Sequence, residues 1–103
     1  MPTPQFVIVH EPGRLWQPGR PPFEQPGLQQ HVDHYRQLFA EGKIALGGPF
    51  LDARGGGMMI AMPGVGAEEL NAFAARDPSV VSGLLTFTVR PWLIGMRGEP
   101  PAS

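Results

Sequence analysis

Proline and glycine constrain this chain more than any other feature. There are 14 glycines and 13 prolines among its 103 residues, close to the level at which disorder becomes the default. Their placement argues against disorder. They gather between Pro12 and Gly27, around Gly47 to Gly57, at Pro63 to Gly66 and in the last residues, and the segments between are apolar and periodic. The expectation is a single domain over residues 1–103 with a core at about 5–93, a Pro-rich loop at 11–27 and a flexible tail at 96–103.

The segments between the breaks have clear characters. Gln5 to His10 is β-branched and aromatic, as a strand should be, with Phe6 and Ile8 on one face and Val7 and Val9 on the other. Residues 11–27 hold too many prolines for regular structure, and Leu15, Trp16 and Phe23 favour a loop folded back on the body. A helix is predicted from between Pro26 and Gln30 to Gly42, a good C′ residue. Its apolar stripe is Leu28, Val32, Tyr35, Leu38 and Phe39. Strands follow at Lys43 to Phe50, with Ile44 and Leu46 on one face, and at Gly57 to Met62, joined by a Gly-rich hairpin. A second helix spans Ala67 to Arg76. Asp77-Pro78 opens a turn or short helix to Gly83, with Asp as N-cap and Pro at N1. Leu84 to Trp92 is the last strand. The order is that of an α+β, ferredoxin-like split βαβ fold with a four-stranded antiparallel sheet. Apolar residues on both strand faces suggest a homodimer with two sheets packed face to face.

Composition narrows the function. A formal net charge of -1 gives no electrostatic reason to expect nucleic acid or an anionic membrane as partner. No apolar run approaches the roughly 20 residues of a membrane span, and the first residues lack the basic and apolar regions of a signal peptide. With no cysteine, disulfides, thiolate metal sites and a thiol nucleophile are excluded. A cytoplasmic protein is expected.

The most informative single residue is His31, which falls inside the apolar stripe near the helix start. An imidazole titrates in the working pH range and serves as general acid or base. It needs a partner to fix its tautomer, and Asp33 is unsuitable, since residues i and i+2 do not face each other on a helix. The same residue also fits a core histidine satisfied by one hydrogen bond, and spacing does not choose between these.

His31, the run AEGKIALGGPF at 40–50 and the run AARDPSVVSGLL at 74–85, in this order, make the chain resemble the YciI-like (YCII-related) family over residues 5–93. The resemblance implies a dimeric α/β barrel with a His–Asp pair in a cleft, the pair being His31 and Asp77. The absence of a nucleotide fingerprint, a thiol or a strong metal cluster favours simple proton chemistry with no cofactor. A member of the family removes chloride from a chlorinated hydroxyquinol, and the wider superfamily includes muconolactone isomerases and cofactor-free oxygenases. The loop at 11–27 departs from the pattern, being longer and richer in proline.

Other constellations are weaker. His34 stands one helical step from His31, but a His-x-x-His pair falls short of a zinc ligand set, and His10, Glu11 or Asp52 as further ligands are not fixed in space. No metal is expected. Ser79 and Ser82 lie near Asp77, yet no nucleophile elbow is present, and both read as turn or helix-surface residues. The RGGG run at 54–57 lacks the P-loop Lys-Ser/Thr and reads as a hairpin turn. Trp16 and Phe23 could wall an aromatic ligand, and Arg14 could neutralise an anionic one. Anchoring of the loop and plain surface charge are the alternatives. The functional expectation is a cofactor-free acid–base enzyme, lyase or isomerase in type, acting on a small cyclic or aromatic metabolite. The alternative is a non-catalytic homodimer that binds a small ligand.

Overall fold

The computed structural model describes residues 3–99. Its elements are β1 (Gln5–Pro12), a 3-10 turn (Pro22–Glu24), α1 (Leu28–Ala40), β2 (Ile44–Pro49), β3 (Gly57–Ala61), α2 (Ala67–Ala75), α3 (Pro78–Ser82) and β4 (Leu85–Trp92). The strands form one sheet in the order β2-β3-β1-β4, and every neighbouring pair is antiparallel. This is the ferredoxin-like α+β arrangement expected from the sequence.

Alternation along the strands gives the sheet one helix-covered face. Ile8 and Ala61 from the sheet are buried with Tyr35 and Leu38 of α1 and Leu70, Phe73 and Ala74 of α2, while Phe6, Met59, Phe87 and Val89 pack against this cluster. Burying a Leu, Ile or Phe side chain in such a cluster stabilises the fold by about 1.5–3 kcal/mol. On the opposite face Val9, Met58 and Ile60 are half-buried, and Leu46 is 67% and Trp92 44% exposed. No helix among the described residues is long and apolar enough to cross a membrane.

Two details differ from the sequence expectation. First, β1 continues through Glu11 and Pro12, which pair with Thr86 and Leu85. Beyond His10, β3 no longer flanks β1. One edge is therefore open, and a proline without an N–H is tolerated there. Second, the β2–β3 register shifts between Ile44 and Leu46, so Ile44 faces Ala61 while Leu46 faces Ile60. Ala45 is the extra residue of a bulge. Ile44 and Leu46 consequently do not share a face: Ile44 is buried and Leu46 exposed.

The ends of α1 follow local chemistry. Gly27 and Gly42 both adopt positive φ, 95° and 75°, which only glycine does without strain. The long loop folds onto the body. Gln25 is buried and clamps it, accepting from Gln17 N and donating to the carbonyls of Gln17 and Arg20, each at 2.8 Å. Gly13 N and Leu15 N donate to Leu84 O and Gly83 O at 2.8 and 3.0 Å. Residues 93–99 carry no helix or strand, and Met96 is 95% exposed. The remainder of the expected tail, 100–103, lies outside the described residues.

Candidate active site

The short helix α3 packs beside α1, and this contact carries Asp77 to His31 across 46 residues of sequence. Asp77 caps α3: its Oδ1 accepts from Ser79 N at 2.9 Å and from Ser79 Oγ at 2.8 Å. Its other oxygen, Oδ2, lies 2.6 Å from His31 Nδ1. The Asp77 side chain is fully buried and that of His31 is 12% exposed. Burial alone would push the Asp77 carboxyl up. The hydrogen bond and charge of His31, with both Ser79 donors, outweigh it and hold the group below the ordinary carboxylate value. The carboxylate therefore fixes Nδ1 as the donating nitrogen of His31. Nε2 has no hydrogen-bond partner among the described residues, nor is it buried without one. It is left available on the cavity side.

A second imidazole stands against the first. His10, on the helix-facing row of β1 with Phe6 and Ile8, is buried, and its ring lies 4.8 Å from that of His31, edge to face. Its Nδ1 is 3.2 Å from Thr86 O, and a carbonyl only accepts, so Nδ1 carries the proton. Burial, followed by the nearby His31 charge, lowers its pKa from 6.5 to about 4. The ring is therefore neutral near pH 7, and Nε2 accepts from the Tyr35 hydroxyl at 3.0 Å. Burial, then the Asp77 charge, raises the Tyr35 phenol well above its ordinary value, which keeps it a donor. Sequence reading singled out neither role. The signal was available: alternation from Phe6 and Ile8 leads to His10 as the third inward residue of β1.

Both histidines open on a cavity of about 490 Å³ between α1, β2–β3 and the long loop, within the roughly 300–1,000 Å³ of small-molecule sites. Its walls include Leu28, Val32, Phe39, Ile44, Met58, Met59 and Leu85, with Arg36 among them. Trp16 and Phe23 also line it. Trp16 lies against the hairpin, where a Cβ on Gly55 would stand 2.5 Å from its ring. Phe23 is 75% exposed at the rim. Arg14 does not reach the cavity: its guanidinium donates to Ser82 O at 3.4 Å and covers Gly83.

Placement bears on three further expectations. Ser79 is not a surface residue but is 1% exposed, because its hydroxyl and amide both serve the Asp77 carboxylate. Its Oγ also lies 3.4 Å from His31 Nδ1. His34 turns away from His31, donates from Nε2 to Phe73 O at 2.7 Å and stacks on the Phe73 ring. A His31–His34 pair does not form. Ligand atoms of His10, His31 and Asp77 do lie within 4.8 Å of one another. A cation there would compete for both nitrogens of His10 and both oxygens of Asp77, already bonded to Thr86, Tyr35, Ser79 and His31, with His31 Nε2 alone uncommitted. The arrangement fits a hydrogen-bonded cluster better than a preformed ligand set.

Fold and geometry together define a ferredoxin-like α+β protein with a His–Asp pair at the wall of an apolar cleft. The chain belongs to the family of the uncharacterized protein YjpA of Bacillus subtilis (strain 168), being 33% identical over 70 residues that span 68% of this chain and 80% of that protein. No family model matches the chain. Among solved structures it is similar in fold to 5-chloro-2-hydroxyhydroquinone dehydrochlorinase (TftG) from Burkholderia phenoliruptrix AC1100, in complex with 2,5-dihydroxybenzoquinone. The TM-score is 0.64 at 24% identity, over 85% of this chain and 92% of that one.

Proposed function

We propose that this protein is an acid–base enzyme of the YciI-like group, acting on a small cyclic or aromatic metabolite by elimination or isomerisation. The observation that carries the reading is the 2.6 Å contact between His31 Nδ1 and the buried Asp77 carboxylate, with His31 Nε2 left toward a largely apolar cavity. In this mechanism Nε2 removes a proton from a ring hydroxyl or carbon, and Asp77 stabilises the imidazolium that forms. The proton returns to another atom in an isomerisation. In an elimination the electrons released expel a leaving group such as chloride. Such a step needs no group beyond the protein's own side chains. Trp16 and Phe23 would flank the ring of the substrate. The fold shared with a dehydrochlorinase of an aromatic compound is consistent with this class but does not select the substrate.

A second copy of the chain is proposed to cover the open sheet face, where Leu46 and Trp92 are exposed. Sedimentation at micromolar concentration should give a dimer, and a monomer would remove this part of the proposal. The chemistry is tested by incubating wild type, His31→Ala and Asp77→Asn with chlorinated and hydroxylated aromatics and with small lactones. Turnover by the wild type should fall about 10²–10⁴-fold in His31→Ala, the usual contribution of a positioned acid or base. Turnover that survives His31→Ala unchanged would sink the assignment. The alternative reading, a homodimer that only binds a small ligand, draws on the apolar character of the cavity. It is favoured if compounds bind beside His31 and none is converted.

A further inference from the structure

Arg36 lines the same cavity and has no part in the chemistry proposed above. Among the described residues it carries the one permanent charge in the cavity wall; the other titratable side chains there are His10, His31 and Tyr35, with no carboxylate and no lysine in this described lining. Among the described residues no carboxylate forms an ion pair with it. Asp33, three residues earlier on α1, accepts instead from Gln29 Nε2 at 2.9 Å. The ion pairs among the described residues belong to His31 and Lys43. An unpaired guanidinium beside an apolar cavity is a planar fork of donors suited to an anionic oxygen group.

Its position relative to His31 matters as much as its charge. Arg36 follows Val32 by one helical turn on the cavity side, and it stands five residues beyond His31, about 7.5 Å along the axis. Residues five apart do not share a helix face. It is the length of the arginine side chain that brings both residues to one cavity. A ring held between them would present one edge to His31 Nε2 and a substituent at its opposite end to Arg36. His10 cannot take over this role, being neutral and bonded through both nitrogens, and Arg14 is engaged at Ser82 O.

We propose that Arg36 is the specificity-determining residue of this site. Its guanidinium binds an anionic oxygen substituent at the end of the ring remote from His31, so the protein selects anionic cyclic compounds over neutral ones of the same shape. This rests on the reading of the cavity as a substrate site, but its test does not require turnover. The probes are 2-naphthoate and 2-naphthamide, alike in shape and different in charge, titrated into the full chain and followed by amide and Trp16 indole NMR shifts. In wild type the carboxylate should bind roughly tenfold more tightly than the amide, the low end for a hydrogen bond to a charged group, and the preference should shrink with added salt. Arg36→Met should abolish the preference by weakening the carboxylate far more than the amide; Arg36→Lys should keep part of it, since it retains charge without the fork. Arg36 is exposed on the helix surface, so neither substitution disturbs the core. Equal affinity for both probes in wild type, or a preference that survives Arg36→Met, overturns the role of Arg36 while leaving the cavity reading intact. Failure of both probes to shift any cavity resonance overturns the two together.

Discussion

Two imidazoles meet edge to face in this molecule, and their surroundings differ in what they leave unused. His10 gives its Nδ1 proton to Thr86 O and accepts the Tyr35 hydroxyl at Nε2, so both nitrogens are spent inside the fold. His31 commits Nδ1 to the Asp77 carboxylate and keeps Nε2 free beside the cavity. Burial and the phenol that donates to Nε2 keep the His10 ring neutral, whereas the buried carboxylate at Nδ1 fixes the tautomer of His31. The same side chain is thus a fixed structural strut at one position and, in the proposed function, the group that moves a proton at the other, and the difference lies in the partners supplied around α3 and β4.

The largest effect should come from breaking the charged partner. Asp77→Ala removes a fully buried carboxylate that satisfies His31 Nδ1 and both donors of Ser79. Removal of one member of a buried pair costs about 3–5 kcal/mol, and chemical denaturation at pH 7 should show a loss of that order. A loss below about 1 kcal/mol, the value of an exposed pair, would mean that the pair is not buried in solution.

The second test uses the neutral ring. The folded pKa of His10 is lowered from 6.5 to about 4, by burial first and by His31 next. Above pH 6.5 neither state holds the extra proton, and there is no penalty. As pH falls from about 6.5 to about 4 only the unfolded chain takes up that proton, so stability declines; below about 4 both states carry it and the decline from this source stops. A shift of this size corresponds to about 3 kcal/mol over the window. His10→Gln should be less stable than wild type at pH 7.5 and should flatten the acid slope between pH 6.5 and 4. An unchanged slope would show that His10 is not the group responsible.

Tyr35→Phe sharpens the contrast with a smaller perturbation. It deletes the hydroxyl that His10 Nε2 accepts and leaves a buried nitrogen without a partner, at a cost of about 1–3 kcal/mol. The ¹⁵N shifts of His10 should move while those of His31 keep the pattern of an Nδ1 bonded to carboxylate. Equal disturbance of both rings would mean that the two partner sets are not independent.

How much of this was legible in the sequence depended on how local each feature is. The element order, the glycine that ends α1 and the Asp-Pro start of α3 follow from residues within one turn of each other. The His31–Asp77 pairing came from family resemblance, because periodicity does not report a contact between residues 46 positions apart. The bulge at Ala45 left no mark, since an inserted residue between Ile44 and Leu46 looks like ordinary alternation. Pro12 was read as the loop it opens, although the free side of β1 beyond His10 lets it remain in the strand. Arg14 was named as a neutraliser of an anionic ligand and Arg36 was not, although five positions along α1 separate Arg36 from His31 and only side-chain length brings the two to one cavity. Cavities are lined by side-chain reach as well as by backbone phase, and reach is not visible in a helical projection.

Ser79→Ala makes the smallest change and tests the Asp77 side of the comparison. The hydroxyl donates to Asp77 Oδ1, and the amide of the same residue donates there as well, so its loss should cost about 1 kcal/mol at pH 7 and leave the pair in place. The sign of the pH effect follows from the lowered folded pKa of Asp77. Its contribution is present above the unfolded carboxylate value and is lost as pH falls through the folded one. One stabilising donor fewer raises the folded value, so the contribution is smaller in the variant and its loss on acidification ends at a higher pH. If Ser79 were a nucleophile, the variant would lose turnover as completely as His31→Ala. As a donor to the carboxylate that orients His31, it should keep most of the rate while its acid unfolding changes, and that separation is what a combined stability and activity titration would read.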